Sequence, residues 1–567
     1  MTAKGSRRKT ALAVAIIGLV ALIGYTFLLE SGNFGTFIPR SPLSNFSAPS
    51  ITRTRLLSNV PNVETAIAID PNNPNYMIVG TIPQHFAPAY STDGGLTWHN
   101  TTTQITAFWG YISPSIGDNP GAAIGPDGTD YSIEYTTLIN DSSAQAFYLA
   151  SSTNHGRSWV LSPNPYASAV DNSTFHASIT TWTFLNGTTT KGCFTQYNTY
   201  GGDYQKIGVD TWPDSPFKGY VYIIGDFQML WNGACVIQQG FIRSTDNGHT
   251  WDLHVVTDPA FSGSSQVEGL SIARNGEIYF SRNYGGSGTG SILFEKSADA
   301  GSTWTHKIIP VSGVVLNPDT ASSLSGVYIA YIACTMPCNY AKNGSSSVFL
   351  ISSTDDGNTW SLPVRISDQG AVPYWSYIAN PDPIGNQEDC SVPSIYTDCG
   401  PVHRPPTITS SQFGIVVGWT DWRNSINGTS ADIYAYVSGF GGSNVRLTAF
   451  PGRLCEVKQG NCNGFGFGND QMKVAASTNG VFFAVGLDLD NDPPSNCSVI
   501  CTVTDVGVIR LEPSPIAGVP TVDLLVSASV ISALVLSAVL IRRLRALRAP
   551  KRVVAGVTED NAPSLSN

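Results

Sequence analysis

The chain has 567 residues, 42% of them hydrophobic, 10% aromatic and only 13% charged, with a formal net charge of −10. That composition excludes an intrinsically disordered chain, which needs low hydrophobicity and high charge. Strong helix formers are sparse, while 55 Gly and 35 Pro punctuate runs of β-branched and aromatic residues, so the expectation is all-β. The acidic balance also excludes a nucleic-acid partner.

In chain order, the first element is an apolar run from Ala11 to Leu29, preceded by Lys4, Arg7, Arg8 and Lys9. It is long enough to span a bilayer, either as an anchor or as an uncleaved signal segment; a cleaved signal peptide is the competing reading, although no small-residue cleavage site follows. A second run, Leu524 to Ile541, is followed at once by Arg542, Arg543, Arg545, Arg548, Lys551 and Arg552. The positive-inside rule then places both termini (1–10 and 542–567) in the cytosol and the intervening residues outside the cell, between linkers at 30–59 and 513–523.

The cysteines agree with an exported domain, since all ten lie between the two apolar runs. Most fall in close pairs that read as local disulfides: Cys334 with Cys338, Cys390 with Cys399, Cys455 with Cys462, and Cys497 with Cys501. Cys193 and Cys235 are left for a longer bridge. Sequence does not set the connectivity, and the spacings are not those of a zinc ribbon. Eight Asn-x-Ser/Thr sequons, at Asn45, Asn100, Asn140, Asn172, Asn186, Asn343, Asn427 and Asn496, point to the same compartment.

One pattern, S-x-D-x-G-x-T-W with Asn or Ser variants, occurs five times. Its acidic or amide position is Asp93, Asn154, Asp246, Asp299 and Asp355, and its tryptophan is Trp98, Trp159, Trp251, Trp304 and Trp360. A degenerate sixth copy at 438–445 keeps Ser438 and Gly442 but carries Phe440 at the Asp position. The physics is that of a hairpin: Asp accepts hydrogen bonds from the turn's own amides, Gly takes the positive φ, and Trp opens the next strand with a large apolar surface. Each box should pin a turn and wedge an aromatic ring between neighbouring sheets. The role is structural.

Ahead of the boxes stands a second recurrent unit of two apolar strands around a Gly- or Pro-containing turn, counted seven times from Glu64 to Asp488. With the hairpin, each unit makes a four-stranded antiparallel sheet, and radial stacking of such sheets is a β-propeller. The seventh unit lacks a box, and Ile51 to Leu57 is the candidate for its outer strand. Six blades remain the alternative if one unit is an insertion.

Over roughly residues 60–512 these boxes make the chain resemble the sialidase-like, BNR-repeat propellers. The resemblance implies a channel mouth on the face opposite the boxes, formed by the entries to the innermost strands (Glu64, Asp118, Asp203, Gln266, Glu268, Arg404, Asp470) and by residues after the second strands (Glu134, Asp226, Arg282, Tyr284, Asp421, Arg423, Asp488). It further implies three arginines clamping a substrate carboxylate, for which Arg282, Arg404 and Arg423 are the candidates, with Tyr284 and Glu268 as nucleophile pair and Asp118 as acid. Two departures stand against this assignment. No Arg-Ile-Pro or Arg-Leu-Pro occurs, and Arg157, inside a box, is the one arginine between residues 56 and 242.

Asp488, Asp490 and Asp492 alternate as D-x-D-x-D and offer oxygens to a structural calcium ion, but without the Gly and Glu of an EF-hand; a solvated loop is the competing reading. No other cofactor is expected. The reading that follows is a membrane-anchored extracellular propeller that binds a cell-surface or extracellular glycan or protein. The alternative is a tethered exo-glycosidase of sialidase type acting on anionic sugars, and a sorting receptor is disfavoured because residues 511–523 leave no room for a cysteine-rich module.

Overall fold

A computed structural model describes residues 46–57, 64–81, 89–101, 112–138, 141–161, 180–183, 189–192, 203–231, 234–256, 267, 269–284, 290–334, 345–368, 372–373, 406–421, 423–424, 430–440, 442–449, 452–453, 472–487, 489 and 505–515. Seven sheets of at least four strands account for nearly all of them, and a two-stranded hairpin, Thr180–Thr183 with Thr189–Gly192, is inserted between the second and third.

From the innermost strand outward, blade 1 is Thr65–Ile69, Met77–Thr81, Ala89–Ser91 and His99–Asn100. Blade 2 is Ile112–Ile124, Asp130–Leu138, Asp141–Ser152 and Val160–Leu161, and blade 3 is Asp203–Val209, Val221–Trp231, Ala234–Ser244 and Asp252–Val255. Blade 4 runs Ser271–Ile272, Ile278–Asn283, Ser291–Ser297 and Thr305–Pro310; blade 5 runs Val314–Ser323, Gly326–Cys334, Ser345–Ser353 and Val364–Arg365. Blade 6 is Thr407–Ser411, Gly414–Asp421, Ser430–Val437 and Asn444–Arg446. In blade 7 the strands Lys473–Ser477, Gly480–Gly486 and Val506–Pro515 are completed by Phe46–Leu57 from the beginning of the chain.

Each innermost strand packs on the next, and that of blade 7 packs on that of blade 1, so the ring closes with seven blades. Six is excluded. The predicted closing strand, Ile51 to Leu57, is part of the longer Phe46–Leu57, and Arg53 Nε ties it to blade 6 by donating to Leu447 O at 2.6 Å.

The predicted disulfides fall on residues that lie outside the described ones or are described in their backbone alone. Cys193, Cys338, Cys390, Cys399, Cys455, Cys462, Cys497 and Cys501 lie outside the described residues. Cys235 and Cys334 are described in their backbone alone, each at the mouth end of a strand: Cys235 pairs in register with Leu230 of blade 3, and Cys334 with Val314 of blade 5.

The core is a set of interblade layers. One cluster joins blade 2 (Tyr131, Ile133, Leu149) to blade 3 (Val221, Ile223, Trp251), another blade 3 (Tyr222, Phe241) to blade 4 (Ile278, Phe280), and others continue around the ring. Second strands are therefore buried on both faces; Gly480–Gly486 is buried at every residue. This explains why they read as continuous apolar runs.

The boxes have one geometry. In the third, Ser244 Oγ donates to Asp246 Oδ1 and accepts from Gly248 N at 2.8 Å, while Thr250 N and Oγ1 donate to the two Asp246 oxygens at 2.8 and 2.7 Å. Trp251 Nε1 closes the loop on Gly248 O at 3.1 Å. Against the upward pull of partial burial, these donors hold the carboxyls of Asp93, Asp246 and Asp299 below the usual range. The hydroxyl and amide of Thr359, with Ser353, lower that of the exposed Asp355 to about 2. The expected positive φ falls not only on the glycine but also on the residue before it: His155, Asn247, Ala300 and Asp356 all lie between 56° and 59°. In the degenerate sixth copy a 3₁₀ turn, Ser438–Phe440, replaces the box.

Each box docks on the preceding blade. A methyl on Gly301 would lie 2.1 Å from Phe241 Cε1 of blade 3, one on Gly357 2.2 Å from Phe294 Cε1 of blade 4, and one on Gly95 2.8 Å from Phe482 Cε1 of blade 7. Trp304 meets Phe241 edge-on at 5.1 Å and Trp360 meets Phe294 at 5.0 Å. Gly301→Ala should therefore cost roughly 1–3 kcal/mol through overpacking, and Trp251→Ala about 3–5 kcal/mol as a large core deletion, both read by urea denaturation.

Blade 2 departs from the pattern at one position. The second-strand residue opposite the box serine is Met77, Val221, Ile278 and Val327 in blades 1, 3, 4 and 5, but Asp130 in blade 2. Its carboxylate is buried and accepts from the box amide Gly156 N at 2.7 Å, and its Oδ1 has no partner. Burial raises its pKa to about 7, opposed by the Gly156 and Ser152 hydrogen bonds and reinforced by Asp70 and Asp127. An acid with a raised folded pKa destabilises the fold progressively as pH climbs from the unfolded value near 4 to the folded value. Asp130→Asn should gain stability relative to the native chain as pH rises from 4 to 8, measured by chemical denaturation across that range.

Candidate functional site

Every second strand runs away from the box face, so its last residues meet the first residues of the innermost strands at the opposite mouth. In blade 1 the inner turn shares the box face, since Gly94 N donates to Asn75 O at 3.0 Å. Three innermost strands carry register shifts on the mouth side, between Ile112/Gly117 and Asp118/Gly121, Asp203/Lys206, and Leu316/Asp319. Such bulges re-aim side chains at the ends of blades.

Arg282 stands on the second strand of blade 4 and is 2% exposed; its Nε donates to Glu295 Oε2 at 3.0 Å from the third strand, where Glu295 is wholly buried. His306 Nδ1, on the outer strand, lies 3.3 Å from the other Glu295 oxygen. The row Arg282–Glu295–His306 thus crosses the blade on the face that packs on blade 3. Tyr284, two residues further toward the mouth, is half-buried, and its backbone amide donates to Ser291 O at 3.1 Å.

Arg423 belongs to blade 6. Its Nε and Nη2 donate to Asp421 Oδ2 at 2.9 and 2.6 Å, its Nη1 to Asp368 Oδ1 at 2.5 Å, and its guanidinium lies 4.1 Å over the Tyr434 ring. Burial pulls its pKa down, but the Asp421 and Asp368 carboxylates outweigh this and raise it. Beside it, the buried Asp432 accepts from Arg446 Nη2 at 2.7 Å and Thr448 Oγ1 at 2.5 Å.

The two described arginines of the expected triad are therefore two blades apart, each held by carboxylates of its own surroundings. Arg404, Glu268, the side chain of Asp118 and the D-x-D-x-D carboxylates Asp488, Asp490 and Asp492 lie outside the described residues, as do both apolar runs. Among the described residues no cluster of three or more His, Cys, Asp or Glu can hold a metal, and no helix is long and apolar enough to cross a membrane.

Carboxylates that face one another at the mouth were legible only as separate letters. At the seam of blades 1 and 2, a methyl on Gly80 would lie 3.5 Å from Ala66 Cβ and 3.7 Å from Ser132 Oγ. Glu64 and Glu134 stand one step mouthward of Ala66 and Ser132 on those same faces, both buried. Three further residues escaped the sequence reading. Asp319, past the bulge of blade 5, accepts from Ile408 N at 3.1 Å and lies against Gly269 of blade 4. Glu295 sits mid-strand in an apolar run, and Gln239 in the third strand of blade 3. The signal for each was a polar residue inside a buried strand.

No protein-family model and no curated protein matches the sequence. Among solved structures the chain is similar to an α-L-arabinanase of Penicillium chrysogenum complexed with arabinobiose, at 12% identity over 81% of this chain and 98% of that one, with a TM-score of 0.40. It is similar to an α-L-arabinofuranosidase of Fusarium graminearum in complex with an iminosugar inhibitor at 11% identity, 81% and 98% coverage and TM-score 0.37. The likeness to Trypanosoma rangeli sialidase has 12% identity and TM-score 0.34, covering 82% of this chain and 60% of that one. At these scores the likenesses decide nothing about substrate. Five hydrogen-bonded boxes on a closed ring of four-stranded blades decide the class.

The chain is a seven-bladed β-propeller with a box hairpin in each of its first five blades.

Within this propeller the Arg282–Glu295 contact is a buried ion pair, whose loss on one side leaves a charge in a dry seam. Glu295→Ala should cost about 3–5 kcal/mol, measured by urea denaturation.

Proposed function

We propose that this propeller is a recognition module, carried outside the cell on membrane segments at both ends, whose mouth engages a glycan or protein. The observation that carries the reading is the pairing of Arg282 and Arg423 on separate blades with Glu295, Asp421 and Asp368. An arginine already matched by an internal carboxylate has little charge left for a substrate carboxylate, and a clamp needs several guanidinium groups on one point. The membrane placement rests on the two apolar runs and the basic residues at their outer ends.

A hydrolase is the second reading. The buried Glu64 and Glu134 on facing walls of one seam favour it, because glycoside hydrolysis is carried by two carboxyl groups.

The full-length chain, purified in detergent, should show no turnover of a fluorogenic sialoside. Turnover that disappears in both Arg282→Ala and Arg423→Ala would replace recognition by sialidase chemistry. Protease added to intact cells should digest the propeller and spare the tail after Ile541; loss of the tail would refute the topology.

A further inference from the structure

We propose that the mouth end of the seam between blades 3 and 4 is a subsite for a neutral saccharide, with the Gln239 carboxamide reading a pair of adjacent hydroxyls. The proposal rests on the glycan form of the reading above and names where on the mouth the sugar sits.

Gln239 is 2% exposed, and neither its amide oxygen nor its amide nitrogen has a hydrogen-bond partner. A buried, unpaired carboxamide is costly, and a recognition protein keeps one where a ligand completes it. The register shows which way it faces. Gln239 lies on the third strand of blade 3, two residues before Phe241 and on the same side of the sheet; Phe241 and Ile224 pack against Phe280 of blade 4 in one apolar cluster. From Phe280 the second strand of blade 4 continues toward the mouth, so Arg282 lies one step mouthward on that wall and Tyr284 one step beyond. Gln239, one step mouthward of Phe241, occupies the opposite wall at the level of Arg282.

Three chemical features then line one seam. The carboxamide offers a paired donor and acceptor, matching the O–H groups of a vicinal diol, each of which both donates and accepts. Arg282 is oriented from behind by Glu295, which fixes its guanidinium plane and offsets its charge. Tyr284, half-buried at the entrance, supplies an aromatic face for the apolar C–H side of a sugar ring. An uncharged amide beside a neutralised arginine suits a neutral sugar better than an acidic one. Rejection of analogues lacking the hydroxyls follows, since the buried amide would again be left unpaired.

The test is isothermal titration of the full-length chain in detergent with galacto-, xylo- and malto-oligosaccharides and with 3′-sialyllactose, alongside Gln239→Leu. The expected result is binding of at least one neutral oligosaccharide by the native chain, a tenfold or greater loss of affinity in Q239L, and a Tm in Q239L that is unchanged or higher. Equal affinity in Q239L overturns the subsite while leaving the glycan reading intact. Binding of sialyllactose alone overturns the neutral-sugar assignment. A lower Tm with unchanged binding gives Gln239 a purely structural role and also overturns the subsite. Failure of the native chain to bind any saccharide removes the glycan reading and the subsite with it.

Discussion

The seating of each box glycine on an aromatic or aliphatic side chain of the preceding blade is the contact on which the ring depends. A box needs two consecutive residues in the left-handed region, and the second must be glycine for a further reason: its Cα lies so close to Phe241, Phe294 or Phe482 that no Cβ fits. In blades 4 and 5 the box tryptophan, Trp304 or Trp360, meets the same ring edge-on. Local turn chemistry and interblade packing are thus satisfied by one residue. That is why a motif of eight residues recurs almost unchanged while the strands around it drift.

Blades without a full box are closed by other means. Blade 6 uses a 3₁₀ turn in which Phe440 packs toward Phe413, and Ser438 Oγ accepts from Ile415 N at 2.9 Å. Blade 7 borrows a strand from the beginning of the chain, so first and last strands share a sheet and the ring is latched by backbone pairing. Asn479 continues the latch on the box face by donating to Pro74 O of blade 1 at 3.0 Å.

The mouth follows a different rule from the box face. Several of its charges are set against an opposite charge or a backbone amide: Arg282 with Glu295, Arg423 with Asp421, Arg446 with Asp432, and Asp319 with the amide of Ile408. In such low-dielectric seams unpaired ions are prohibitive, so arginines come already neutralised. By the same logic the unpaired, uncharged carboxamide of Gln239 is tolerated, because a neutral amide can wait for a partner where a charge cannot.

All-β class, blade repeat, box positions and the strand that closes the ring were legible in the sequence, because each depends on interactions within about ten residues or on a periodicity that repeats along the chain. The positions of Arg282, Tyr284 and Arg423 at strand ends were legible for the same reason. Their partners were not. Glu295 lies thirteen residues from Arg282 on another strand, Asp368 lies on a different blade from Arg423, and Glu64 and Glu134 come from two units that sequence reads as independent. Sequence by itself determined the strand ends at which Arg282, Tyr284 and Arg423 stand. Only the tertiary structure decided which of them share a seam, because the side chains of neighbouring blades meet through a register and a ring closure that no local pattern encodes.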